Sequence, residues 1–223
     1  MSLARRRRIE NTIMKLSISL LTLCLTLTLQ AQTTRYEALP GSKVKLDGTS
    51  TMHAWTVEGG IIRGSMDLPF DPQNPQNLKP GKVDAKVQAT IPVRTIKSGK
   101  AMMDSVMHDA MKQKSFPTIE YRLTELVLKE APKSAEAPLV FDSKGELAVA
   151  GVTNVISMPV TMTKVDQDKV KTSGTTTLKM TSFGIKPPAP KVALGFISTG
   201  DDVKIAFEWL TGKPQKTAAA AAN

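Results

Sequence analysis

Residues Leu46 to Gly64 read LDGTSTMHAWTVEGGIIRG, two runs of alternating apolar and polar side chains separated by Gly59-Gly60. A period of two sends successive side chains to opposite faces of a strand, and a two-residue glycine step between two such runs predicts a β-hairpin. On the first arm Trp55 and Val57 share a face, opposite Met52, Ala54 and Thr56; on the second, Ile62, Gly64, Met66 and Leu68 alternate with Arg63, Ser65 and Asp67. The pair therefore has one apolar face, which covers either a packed core or a cavity.

Working outward, the same period holds for most of the chain. Val83, Ala85, Val87, Ala89, Ile91 and Val93 alternate with polar residues and with Pro92, predicting a long half-buried strand whose proline sits at an edge or a bulge. Ile119, Tyr121 and Leu123 keep the pattern, then Leu126 and Leu128 take the opposite parity, which predicts a β-bulge near Thr124. Ile156 to Met162, Thr176 to Met180 and Val203 to Trp209 extend the series. About eight strands result, enough to close an all-β antiparallel barrel around one small ligand. Gly151 to Asn154, Asp166 to Lys169 and Gly200 to Asp202 carry turn residues.

Between Ser98 and Lys114 the spacing becomes helical. Met103, Val106, Met107, Ala110 and Met111 fall on one side, with Asp104, Ser105, His108, Asp109 and Lys112 on the other, predicting a short amphipathic helix that Phe116-Pro117 ends. The methionines are most simply core filler, since an unbranched thioether adapts to irregular gaps; the functional reading is an adaptable lid over an apolar chain. His53 beside Trp55 reads as a structural side chain, and His108 stands four residues after Asp104, a spacing that suits a hydrogen bond between them. Asp71 to Gly81, Glu130 to Pro138 and Lys186 to Lys191 read as irregular connections.

The first 32 residues have the form of an export signal, to be removed before the barrel of residues 33–211 folds. Arg5 to Arg8 and Lys15 precede Leu16 to Leu29, an apolar run of signal-peptide length and too short to span a bilayer. Met14 is the more natural start, and cleavage is expected near Ala31 or Gln32, giving a periplasmic or secreted protein. Acylation at Cys24 is disfavoured by the bulky Leu23 before it. Residues 212–223 are alanine-rich and are expected to form a disordered tail. The chain has 30 basic and 20 acidic residues; setting aside residues 1–32, with five and one of these, leaves 25 against 19 and a net charge of +6. Its single cysteine goes with the signal, so neither a disulfide nor a thiolate is available.

These residues exclude several functions. There is no Gly-x-Ser-x-Gly elbow, phosphate-binding glycine loop, His-Glu-x-x-His or cysteine pair, and two histidines supply at best two ligands of a metal or a haem. No catalysis, metal or cofactor is expected. Two tryptophans and two tyrosines cannot build the girdles of an outer-membrane barrel, and lysines scattered over every strand do not make a nucleic-acid surface. The moderate positive charge suits an anionic membrane surface or a pyrophosphate headgroup.

Taken in order, LDGTSTMHAWTVEGGIIRGSMDL, TIPVRTIKSGKAMMDSVMHDAMKQKSFPTIEYRL, GELAVAGVTNVISMPVTM, TSFGIKPP and DDVKIAFEW resemble the YceI-like family of exported lipid-binding proteins, over about Pro40 to Leu210. The most specific pieces are Thr51, His53 and Trp55, the helix ending in MHDAMKQKSFPTI, and Phe183-Gly184-Ile185. The resemblance implies a lipocalin-like eight-stranded antiparallel barrel, capped by a helix, whose lumen takes a polyisoprenoid or other long-chain lipid. Lys97, Lys100 and a methionine run stand where the commoner pattern has arginines. The side chains expected to contact the lipid are Met52, His53, Trp55 and Val57; Ala89, Ile91 and Val93; Met103, Met107, Met111 and Phe116; and Phe183 and Ile185. The alternative is a solid-core barrel with a stress-related structural or partner-binding role. An exposed strand edge would let two copies pair as a homodimer.

Overall fold

The computed structural model describes residues 33–192 and 195–214. Both the expected signal and most of the expected tail lie outside the described residues. Among the described residues the strands are β1 (Thr34–Ala38), β2 (Lys43–Gly48), β3 (Trp55–Gly59), β4 (Arg63–Leu68), β5 (Gly81–Lys82), β6 (Lys86–Pro92), β7 (Thr118–Leu128), β8 (Leu139–Val149), β9 (Val152–Lys164), β10 (Lys169–Lys179), β11 (Lys191–Val192), β12 (Gly195–Phe196) and β13 (Asp202–Gly212), with one α-helix, α1 (Ala101–Ala110). Going round the ring the order is β1, β4, β6, β7, β8, β9, β10, β13, and β13 returns to β1 through Glu37↔Gly212 and Ala38↔Thr211. This is a closed eight-stranded antiparallel barrel, which removes the unpaired edges of an open sheet.

The glycine pair at 59–60 does something other than predicted. β3 and β4 do not pair with each other: β3 pairs with β2 (Gly48↔Trp55 to Val44↔Gly59), and β4 pairs with β1 and β6. The hairpin turn is Thr49–Ala54, and Gly59 to Ile62 is a kink within one long strand whose halves are β3 and β4. β1 and β2 are likewise two halves of its partner, and β13 takes both on one edge, β2 with Lys204–Glu208 and β1 with Thr211–Gly212. A parity change across two glycines suits a turn and a kink equally well, and only the long-range partner decides between them.

Other expectations hold closely. The register of β7 against β8 shifts between Leu123 and Glu125, which makes Thr124 the extra residue of a bulge. The strand expected from Val83 to Val93 is shorter: β6 starts at Lys86, and Val93 to Thr95 form a 3-10 turn. β8 and β9 are joined by Ala150 and Gly151, both at positive φ (53° and 86°), the handedness that a two-residue hairpin turn requires. In β4, Gly64 has φ 127° and the Gln88 carbonyl stands where a Cβ would go, so this position of the β4–β6 pair admits only glycine.

One end of the ring is plugged. The β4–β5 connection folds over it, with Pro75 buried and Phe70 stacked on Phe141 at 6.3 Å. Beneath lie Tyr36, Leu68, Leu126, Leu128, Phe141 and Val170. Buried Tyr36 donates its hydroxyl to Asp71 Oδ1 at 3.2 Å, and burial together with that carboxylate pushes its phenol far above the usual value. A second cluster, Val93, Met111, Leu147, Ala150, Phe183 and Ile185, lies under α1 at the opposite end.

Candidate functional site

The barrel interior is not close-packed. Between the two clusters lies a cavity of about 530 Å³, within the ~300–1,000 Å³ usual for ligand sites. The strands supply its wall through their alternation: Val203, Ile205, Phe207 and Trp209 of β13 all face it, as do Ile156, Met158, Val160 and Met162 of β9. Polar groups are few, among them Ser143, Thr172 and Thr176 on the wall and Ser50, His53, Lys100, Lys179 and Thr199 toward the α1 end. Lys179 is engaged by Asp202 at 3.0 Å. Tyr121 also lines the cavity, its phenol pushed up by burial and partly offset by a hydrogen bond with Ser143.

Three aromatic rings of the wall rest on glycines of neighbouring strands. Trp55 covers Gly48, Tyr121 covers Gly145 and Phe207 covers Gly174, and a Cβ at any of these glycines would collide with the ring above it. Gly48 and Gly174 are the direct cross-strand partners of Trp55 and Phe207. Such stacking lets a large ring hug the sheet instead of standing out into the bore.

The other end is covered by α1. Met103, Val106, Met107 and Ala110 face the cavity from it, with exposed Met102 at the rim, yet none of its residues is fully buried. Polar bonds hold it in place. Asp104 Oδ1 accepts from the Ser98 backbone N–H and hydroxyl, both at 2.6 Å, and these bonds hold its carboxyl below the usual carboxylate range. His108 Nε2 lies 2.9 Å from the Ile96 carbonyl and so carries its proton there. The expected His108–Asp104 pairing is replaced by these two separate tethers, because the 93–98 segment passes close enough to take both side chains.

Of the residues singled out from sequence, His53, Trp55, Val57, Ala89, Ile91, Met103, Met107, Met111, Phe183 and Ile185 line the cavity. Three do not. Met52 is 64% exposed in the β2–β3 turn, Phe116 is 41% exposed and covers Gly151, and Val93 is buried in the cluster under α1. Sequence reasoning missed the wall on the far side, including Phe141, Met158, Phe207 and Trp209, although the period-two parity of Ile156 to Met162 and of Val203 to Trp209 already marked two of its strands. His53 sits at the rim, its Nδ1 donating to the Ala54 carbonyl at 2.7 Å. Among the described residues no three His, Cys, Asp or Glu side chains converge on a metal site.

No curated protein matches the chain. A polyisoprenoid binding domain from Saccharophagus degradans, described as implicated in plant cell wall breakdown, superposes with a TM-score of 0.58 at 12% identity, covering 80% of this chain and 98% of its own. Burkholderia cenocepacia BcnA gives 0.55 at 18% identity over 76% and 95% of the two chains. A Campylobacter jejuni YCEI protein gives 0.52 at 17% identity over 71% and 85%. At these identities the likeness is one of fold. The sequence itself matches the model of the YceI-like domain across residues 37–209, from β1 to the end of the wall, and on that match the chain belongs to the YceI-like family.

Proposed function

We propose that the chain binds an apolar lipid, a polyisoprenoid chain, in the barrel lumen, for carriage or storage in the cell envelope, by burial and without catalysis. The observation that carries this reading is the 530 Å³ cavity walled almost wholly by apolar side chains. Removing a prenyl chain from water gains about 0.8 kcal/mol per CH₂, so few directional contacts are required. The ligand named for the Saccharophagus domain supports the same class. The methionines of α1 suit a cover that must re-pack around a flexible chain. Lys100 near the rim, with exposed Met52, Met102 and Phe116 on the same end of the barrel, suits docking on an anionic membrane surface, from which an exported protein would take its lipid. The closed ring leaves little edge for a homodimer: the outer side of β3 is bridged by Lys97, which exchanges backbone bonds of 2.9 and 2.8 Å with Glu58.

The test is Ala89→Phe, on the lumen face of β6. If the cavity is ligand space, the ring occupies it, stability holds to within about 1 kcal/mol, and uptake of a fluorescent prenyl analogue is lost. Overpacking that costs ~1–3 kcal/mol, with no lipid found by native mass spectrometry of the parent protein, would return the barrel to the solid-core reading.

A further inference from the structure

The polar atoms of the lumen wall are not equally within reach. Trp209 Nε1 is buried without a partner and covered by protein, so it belongs to the wall and not to the bore. Tyr121 differs. It is half-buried, lines the cavity from β7, and holds its Cζ and hydroxyl over Gly145 of β8. Because the side chain faces inward, the surface it leaves uncovered is open to the lumen. The ring packs on the cluster under α1, while Ser143, which hydrogen-bonds the phenol, sits opposite Leu126 of the plug cluster, so the hydroxyl stands between the two. Ser143 is 4% exposed and gives its single proton to the Met158 carbonyl at 2.8 Å, leaving it nothing to donate to a neutral phenol. The Tyr121 oxygen therefore faces the lumen with its capacity to accept unused.

We propose that the Tyr121 phenol oxygen is a polar subsite inside the lumen that accepts a hydrogen bond from a hydroxyl of the bound lipid, which makes the cargo an isoprenoid alcohol. A hydroxyl adds a bond that the protein leaves unmade. A carbonyl or ether could be served only by turning the Tyr121 proton away from Ser143, with no net gain. An ionised group is disfavoured there, because the lysines that line the lumen, Lys100 and Lys179, stand toward the α1 end, and a charge away from them would be buried without a partner. This inference rests on the lipid-binding reading and adds to it the chemistry of the ligand's polar group.

The experiment uses the mature protein and two probes, geranylgeraniol and its methyl ether, which differ in the hydroxyl proton. Affinities are measured by competition with a fluorescent prenyl analogue, and the Cζ signals of the chain's two tyrosines, Tyr36 and Tyr121, are followed by ¹³C NMR. The parent should bind the alcohol roughly five- to tenfold more tightly than the ether, with the Tyr121 signal moving for the alcohol alone and Tyr36 unmoved. Tyr121→Phe, which keeps the ring over Gly145, should bind both probes alike. Should that variant fail to fold, Tyr36→Phe assigns the parent spectrum, which then decides. Equal binding of both probes by the parent with an unmoved Tyr121 signal overturns the subsite and leaves lipid binding standing. A preference for the alcohol that survives in Tyr121→Phe overturns it too, since the hydroxyl is then held elsewhere. Binding of neither probe overturns the lipid reading itself, and the subsite with it.

Discussion

At the plugged end Tyr36, Leu68, Leu128 and Phe141 are each at most 1% exposed, while at the other end the whole of α1 contains no fully buried residue. The first region is held by close-packed carbon, the second by half-buried Met107 and Ala110 on the cluster beneath α1 and by two hydrogen-bonded tethers on the 93–98 segment. Free energy of burial scales with contact, so global stability resides in the plug and the cover is free to open at small cost. A barrel built this way can loosen at one end without weakening the ring.

That contrast can be broken at several levels. Leu128→Ala leaves a hole in the plug and should cost about 2–5 kcal/mol, read as a fall in the thermal midpoint; a loss below ~1 kcal/mol would mean that the plug does not carry the fold. Tyr36→Phe removes the bond to Asp71 and should cost about 1–2 kcal/mol. Tyr36 also gives the plug a pH limit. Its folded value is raised, so its contribution is complete below the ordinary phenol value of ~10 and is lost as pH climbs beyond it. Denaturation midpoints should decline above pH ~10 in the parent and more gently in Tyr36→Phe.

At the cover the sign reverses. Asp104 is depressed, so its contribution is present above the unfolded carboxylate value of ~4 and fades as pH falls through its lower folded value. Hydrogen exchange of α1 amides should speed up in acid while β7 to β9 stay protected, and Asp104→Asn should show fast α1 exchange already at neutral pH. The smallest effect is expected for Met102→Ala, 80% exposed, which should shift stability by no more than about 0.5 kcal/mol.

Much of this was legible in the sequence because strand alternation is a local property. Val83 to Val93 and Ile156 to Met162 announced walls, and the parity slip before Leu126 announced the Thr124 bulge. The site was legible on one side only, through the glycine-marked stretch and the methionine helix. Long-range properties were hidden. Whether Gly59-Gly60 turns or kinks depends on β2 and β6, and whether Phe116 points inward depends on the β8–β9 turn it covers. The unpaired indole of Trp209 is equally invisible, since partnerlessness belongs to a whole neighbourhood.

The rings resting on Gly48, Gly145 and Gly174 make the calibre of the bore a matter of three missing methyl groups. Glycine becomes alanine by one nucleotide change, and each such change would tip an indole, a phenol or a phenyl toward the axis. Narrowing is therefore a single step away at three places. Widening at these same positions offers no such shortcut, because each ring already covers its glycine. At these three places the bore narrows by adding a methyl group to the wall and widens only by trimming the ring that covers it.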